Sequence, residues 1–287
     1  MPAGDDWPDV LPRSLAPLPD ESLPGFILRV CHRLDLVPGR LMRKAGLVAP
    51  GVTASNAASA RHLLELDPGP LESFARLTRL TTQEAQALTL SQFTGRHPAV
   101  SEALTRPGAA RRPTATAPRW LLLGSSRYCP PCLAGDGSDV QAAHGGPWKL
   151  HWRLATVFSC LQHRVFLEHL CPICREPAFG SGRWFTRHCL LPGQGTPGMH
   201  PAQCRAGRGT GRRPSPCGHR LDTTATRPVT DELAILQGRI LDFITPKSGP
   251  AQPDAIGDLH VMAAIVAGTW PRAAVHAPFD LPLGFEA

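Results

Sequence analysis

Apolar residues in the first third of the chain recur at helical spacing. Leu23, Phe26, Ile27, Val30, Cys31 and Leu34 fall at i, i+3, i+4, i+7, i+8 and i+11, which is one face of a single helix. Ser22 stands where an N-cap is needed, and Pro24 sits in the first turn, where its missing N–H costs nothing. The stripe assigns Cys31 to the core rather than to a metal. Pro38 opens a second short helix through Leu41, Met42 and Ala45, closed by Gly46. Residues 49–61 are small and polar and read as a loop. Leu71, Phe74 and Ala75 mark the next helix, and Thr81 with Glu84 has the spacing of a capping box for one more, through Ala85 and Leu88. Two short helices joined by a short turn have the outline of a helix-turn-helix, with Thr82, Gln83 and Gln86 as candidate DNA-reading side chains at the start of the second.

Beyond this region the periodicity breaks. Residues 97–118 collect proline, glycine and alanine around Arg111 and Arg112 and read as a linker. Helical spacing returns over Thr230 to Phe243, through Leu233, Leu236, Ile240 and Leu241, and again over Asp258 to Ala267. The pattern predicts a mainly α protein with small zinc-ribbon or zinc-knuckle β elements. Its parts are a helix-turn-helix-like domain with its linker (1–117), a double zinc-binding domain (118–227) and a short C-terminal helical segment (228–287). No tandem repeat of solenoid type is visible.

Composition adjusts this picture. Hydrophobic residues make up 42% of the 287 positions, enough for a core, while 31 prolines and 27 glycines imply many loops. No apolar run approaches the roughly 20 residues of a membrane helix; Val261 to Val266 is short. The opening Met-Pro-Ala-Gly-Asp-Asp-Trp lacks the basic and apolar blocks of a signal peptide, so a cytoplasmic protein is expected. In that reducing compartment nine cysteines, several in Cys-x-x-Cys pairs, point to metal rather than to disulfides.

The formal charge is +7. Metal-bound thiols are deprotonated, so a three-cysteine, one-histidine site and a four-cysteine site would together lower it to about +4. Position matters more than the total. Residues 175–227 hold nine arginines against only Glu176 and Asp222. Arg205, Arg208, Arg212 and Arg213 are the candidate phosphate contacts within that stretch, set against the alternative of a solvated basic loop.

The chemistry concentrates between these arginines and the linker. Tyr128-Cys129-Pro130-Pro131-Cys132 and Leu170-Cys171-Pro172-Ile173-Cys174 repeat one Cys-Pro-x-Cys pattern 42 residues apart. Two residues between cysteines make a tight turn that aims both thiolates at one ion. Between them lies Cys160-Leu161-Gln162-His163, and joining it to Cys129 and Cys132 gives a complete Cys3His set. The rival partition, Cys160 and His163 with Cys171 and Cys174, would strand Cys129 and Cys132. Cys171 and Cys174 then need two more ligands from His188, Cys189, His200, Cys204, Cys217 and His219. Cys204 and Cys217 are preferred, because Gly218 lets a knuckle turn back on itself. Two structural zinc ions are expected. Trp148, Trp152, Leu154, Val157, Phe158, Val165, Phe166 and Leu167 should pack the zinc module against a neighbour.

Catalysis finds no support. There is no His-Glu-x-x-His, no His-x-Glu ahead of a Cys-x-x-Cys and no Ser/His/Asp set; Gly207 to Gly211 lacks the lysine and hydroxyl of a phosphate loop. A zinc with four protein ligands leaves no position for a reactive water.

Residues 18–29, Leu-Pro-Asp-Glu-Ser-Leu-Pro-Gly-Phe-Ile-Leu-Arg, followed by Tyr128-Cys-Pro-x-Cys, Cys160-x-x-His163 and Cys171-Pro-x-Cys174, together resemble the TniQ family. The resemblance runs from about Pro12 to Cys174. It implies a non-catalytic accessory protein of DNA transposition that helps choose the target site, binding DNA or bridging a targeting complex to the transposon ATPase and transposase; a homodimer is left open. Carried over by position, the first zinc site is Cys129, Cys132, Cys160 and His163, and the second begins at Cys171 and Cys174. After about residue 227 only a short helical remainder is visible, without a clear second helix-turn-helix. The alternative is a stand-alone zinc-containing transcription regulator that reads DNA through the helix at Thr81.

Overall fold

The computed structural model describes residues 9–12, 15–48, 58–105, 120–179, 189–193, 195–208, 215–245 and 253–269. Among them are nine α-helices, four two-residue strands and several 3-10 turns.

Helix α1 (Leu23–Arg33) is capped by Ser22, whose side chain accepts from the Gly25 N–H, and nearly all of it is buried. Helix α2 (Pro38–Lys44) follows, and Gly46 beyond it takes φ 72°, the left-handed conformation that ends a helix cheaply. Helix α3 (Pro68–Thr78) ends on Arg79 at φ 62°. Helix α4 (Thr82–Ala87) starts in the expected capping box, with Thr81 and Glu84 bonded reciprocally. The stretch read as a loop holds a 3-10 turn at Ala60–Leu63, while residues 49–57 lie outside the described ones.

The linker reading needs correcting over its first part. Pro98–Thr105 forms helix α5, with Ala99 and Val100 buried. Pro98 occupies the first turn, where proline is tolerated, so a residue read as a break is a start. Residues 106–119, including Arg111 and Arg112, are outside the described residues.

The central region builds helices α6 (Pro130–Ala134) and α7 (Asp139–His144) and two small antiparallel hairpins. Strands β1 (Ser159–Cys160) and β2 (Val165–Phe166) pair Cys160 with Val165; β3 (Gly207–Arg208) and β4 (Ser215–Pro216) pair Gly207 with Pro216. Helices α8 (Asp231–Ile244) and α9 (Pro253–Thr269) close the described chain.

Buried apolar residues form one cluster from Leu11 to Ile256, so the helical region and the cysteine-rich region share a core. Their seam explains the segment at residues 18–29. The Ser22 N–H donates to the Trp148 carbonyl and the Leu150 N–H to that of Asp20. A Cβ on Gly25 would lie 2.8 Å from the Trp148 Cβ, so only glycine lets α1 approach this closely. Glu21 and Arg29 form a fully buried ion pair at 2.7 Å, and Glu21 also accepts from the Leu18 N–H. Trp148 and Trp152 are buried core residues, and the Trp148 indole N–H donates to the Pro201 carbonyl.

Candidate metal centres

The first cluster is assembled by α6 and the β1–β2 hairpin. Cys129 caps α6 and Cys132 lies one turn inside it, while Cys160 ends β1 and His163 sits in the turn before β2. Tyr128 locks the two halves together through a pair of backbone hydrogen bonds with Glu168, 2.7 and 2.8 Å long. Gly146 packs behind the knuckle so closely that a Cβ there would stand 1.9 Å from the Cys132 carbonyl oxygen.

The second cluster joins Cys171 and Cys174, in a tight turn ending on Arg175 at φ 59°, to Cys204 and Cys217 across the β3–β4 hairpin. The Cys217 N–H donates to the Ala206 carbonyl and the Gly218 N–H to that of Cys204, with Gly218 at φ 75°.

Distances test whether a tetrahedral ion fits. Zinc bonds of about 2.3 Å to sulfur and about 2.0 Å to nitrogen give tetrahedron edges of about 3.8 Å between sulfurs and about 3.5 Å between sulfur and nitrogen. In the first cluster His163 Nδ1 lies 3.5, 3.3 and 3.5 Å from the sulfurs of Cys129, Cys132 and Cys160, and the Cys132 and Cys160 sulfurs are 3.6 Å apart. In the second, Cys171 to Cys217 is 3.9 Å and Cys174 to Cys204 is 3.8 Å. These separations are far beyond the roughly 2.05 Å of a disulfide. They match a metal's edges, and each set supplies four donors.

The surroundings pull the thiols in opposite directions. Backbone N–H groups of Ile173 and Cys174 point at the Cys171 sulfur, that of Glu176 at Cys174, that of Ala206 at Cys204 and that of His163 at Cys160. Hydrogen bonds from Cys129 and Cys132 hold the Cys160 thiol far below its usual range, while the bond with Cys132 pushes Cys129 up. Burial raises Cys174, to about 11. Thiols alone thus share their protons unequally, and a divalent cation supplies the charge that lets all of them ionise.

The other ligand candidates lie elsewhere. Cys189 is buried beside Ser59, the His219 carbonyl accepts from the Cys204 N–H, and His188 lies outside the described residues. His200 Nδ1 accepts from the Ala202 N–H, and its ring packs against His32, whose own Nδ1 is 3.0 Å from that of His144.

The DNA candidates separate. Thr82 and Gln83 are exposed at the start of α4, but Gln86 is held inward, its Nε2 donating to Ser91 Oγ and its Oε1 accepting from the Leu66 N–H. Helix α4 is six residues long, under two turns. Arg205 requires a correction: it is only 2% exposed, with its guanidinium donating to the carbonyls of Gly193 and Met199, so it is an internal brace and not a phosphate contact. Sequence position inside a basic stretch gave no sign of this. Arg208 has its backbone in β3 but its side chain is not among those described, and Arg212 and Arg213 lie outside the described residues.

The TniQ family model matches residues 12–167, more than half of the chain, spanning α1 to the hairpin that carries Cys160 and His163. The chain belongs to the TniQ family. It is therefore a transposition-associated protein, and the TniQ domain is a non-catalytic accessory domain. A search of curated proteins finds no match. No helix among the described residues of this TniQ chain is long and apolar enough to cross a membrane.

Proposed function

We propose that this TniQ protein is a non-catalytic accessory factor that helps select the target site in DNA transposition. It acts in the cytoplasm by binding DNA, by bridging a targeting complex to the transposon ATPase and transposase, or by both. Two structural zinc ions hold its working surface together, one on Cys129, Cys132, Cys160 and His163 and one on Cys171, Cys174, Cys204 and Cys217. The observation that carries this reading is the coincidence of the family match with two clusters of four donors each. A zinc ion with four protein ligands has no position for a reacting water, so its contribution is to fold a surface rather than to perform chemistry.

The test is association. Purified zinc-loaded protein should bind duplex DNA with an affinity that falls steeply as salt rises, or co-purify with a transposon ATPase encoded beside it. Failure in both assays contradicts the proposal.

A further inference from the structure

A cavity of about 260 Å³ opens between the β1–β2 hairpin and the second cysteine turn. Its walls carry Arg127, Arg175 and Arg227, with Phe158, Phe166 and the single carboxylate Glu168. Arg127 is buried, and its Nη1 donates to the carbonyls of Ala155 and Val157. Among the described residues its side-chain hydrogen bonds go to backbone carbonyls and none to a carboxylate. Arg175 is exposed at the rim, without a side-chain partner among the described residues. Arg227 lies 5.6 Å from the centre of the Phe166 ring and 3.5 Å from Glu168 Oε1.

Three arginines thus line a cavity with one carboxylate, which lies against Arg227, and two half-buried phenylalanines stand beside them, their ring centres 6.4 Å apart. The Cys171 sulfur in the wall is a poor donor to an anion, whereas the guanidinium groups are strong ones. The cavity is near the lower end of ordinary ligand pockets, roughly 300 Å³, so it takes one flat group and not a double helix. Apolar aromatic walls suit the face of a base, and flanking arginines suit its phosphate.

We propose that this cavity captures a single unpaired nucleotide of a nucleic-acid strand, its base against Phe158 and Phe166 and its phosphate at Arg175 and Arg127. The inference deepens the DNA-binding arm of the proposed function and rests on it. It gives the protein a means to favour DNA or RNA that is already opened over an intact duplex, because a paired base cannot enter.

The test is fluorescence anisotropy on the full zinc-loaded chain, with a labelled single-stranded DNA, the same sequence as RNA, and the DNA duplex. The variants are Arg175→Gln and Phe166→Leu, each checked for zinc content and melting temperature. Losing one stacking contact is worth about 1–3 kcal/mol, so Phe166→Leu should lower single-strand affinity about 5- to 150-fold, and Arg175→Gln should lower it as well, while duplex affinity holds. The exposed Arg175→Gln variant keeps the test decisive if Phe166→Leu does not fold. Comparison of the DNA and RNA arms identifies the strand's source. Unchanged single-strand binding by folded Arg175→Gln overturns the inference, as does equal loss of duplex binding. It is also overturned if an acidic peptide, and neither strand, binds in a variant-sensitive way. Duplex binding or ATPase co-purification surviving any of these results leaves the proposed function standing without the cavity.

Discussion

Single residues in the seam between α1 and the cysteine-rich region have more leverage than their size suggests. Glu21 and Arg29 neutralise each other where neither touches water, and burial raises the Glu21 carboxyl to about 7 against the pull of Arg29. Glu21→Ala would strand a buried guanidinium, and urea denaturation should show a loss of about 3–5 kcal/mol. Gly146 makes a second case. Because a Cβ would collide with the Cys132 carbonyl, Gly146→Ala must displace the knuckle. Elemental analysis should then show zinc lost from the first site and retained at the second. The cysteine partners at both sites were legible in the sequence, since two-residue spacings announce paired donors and Gly218 marked the return of the second knuckle. The inward turn of Arg205 and Gln86 was not, because side-chain direction in irregular backbone leaves no periodic trace.

At the scale of elements, the early helices follow from their caps and stripes. Ser22, Pro38 and the Thr81–Glu84 box each start a helix where the pattern says they should. Helix α5 escaped because its apolar face is only two buried residues wide and its flanks are rich in glycine and proline. It also carries long-range packing that periodicity cannot announce. His97, just before α5, faces His260 of α9 with ring centres 5.2 Å apart, and His260 stacks on Trp120 at 4.0 Å. Burial, then the His260 charge, depresses His97 to about 3, and burial lowers His260 to about 4. Both histidines are bases with folded values below the ordinary 6.5, so the fold holds them neutral. The stability this contributes is complete above about pH 6.5 and is lost as pH falls towards 3–4. Thermal melts between pH 8 and 4 should show the decline, and His97→Phe should make it shallower.

For the molecule as a whole, one core runs through both the helical and the cysteine-rich regions, and the clusters sit at the edge of that core rather than on a separate appendage. The first cysteine-histidine cluster lies against Gly146, two residues before the Trp148 on which α1 docks; the second holds the hairpin beside the arginine-lined cavity. Zinc would therefore be part of the fold's stability, and the surface proposed for DNA or partners would be lost with it. The most direct measurement is zinc per chain by elemental analysis of purified protein, for the parent and for Cys160→Ser and Cys204→Ser. Two-site zinc binding predicts two zinc ions in the parent and one in each variant. One ion or none in the parent, or two retained in either variant, would contradict it.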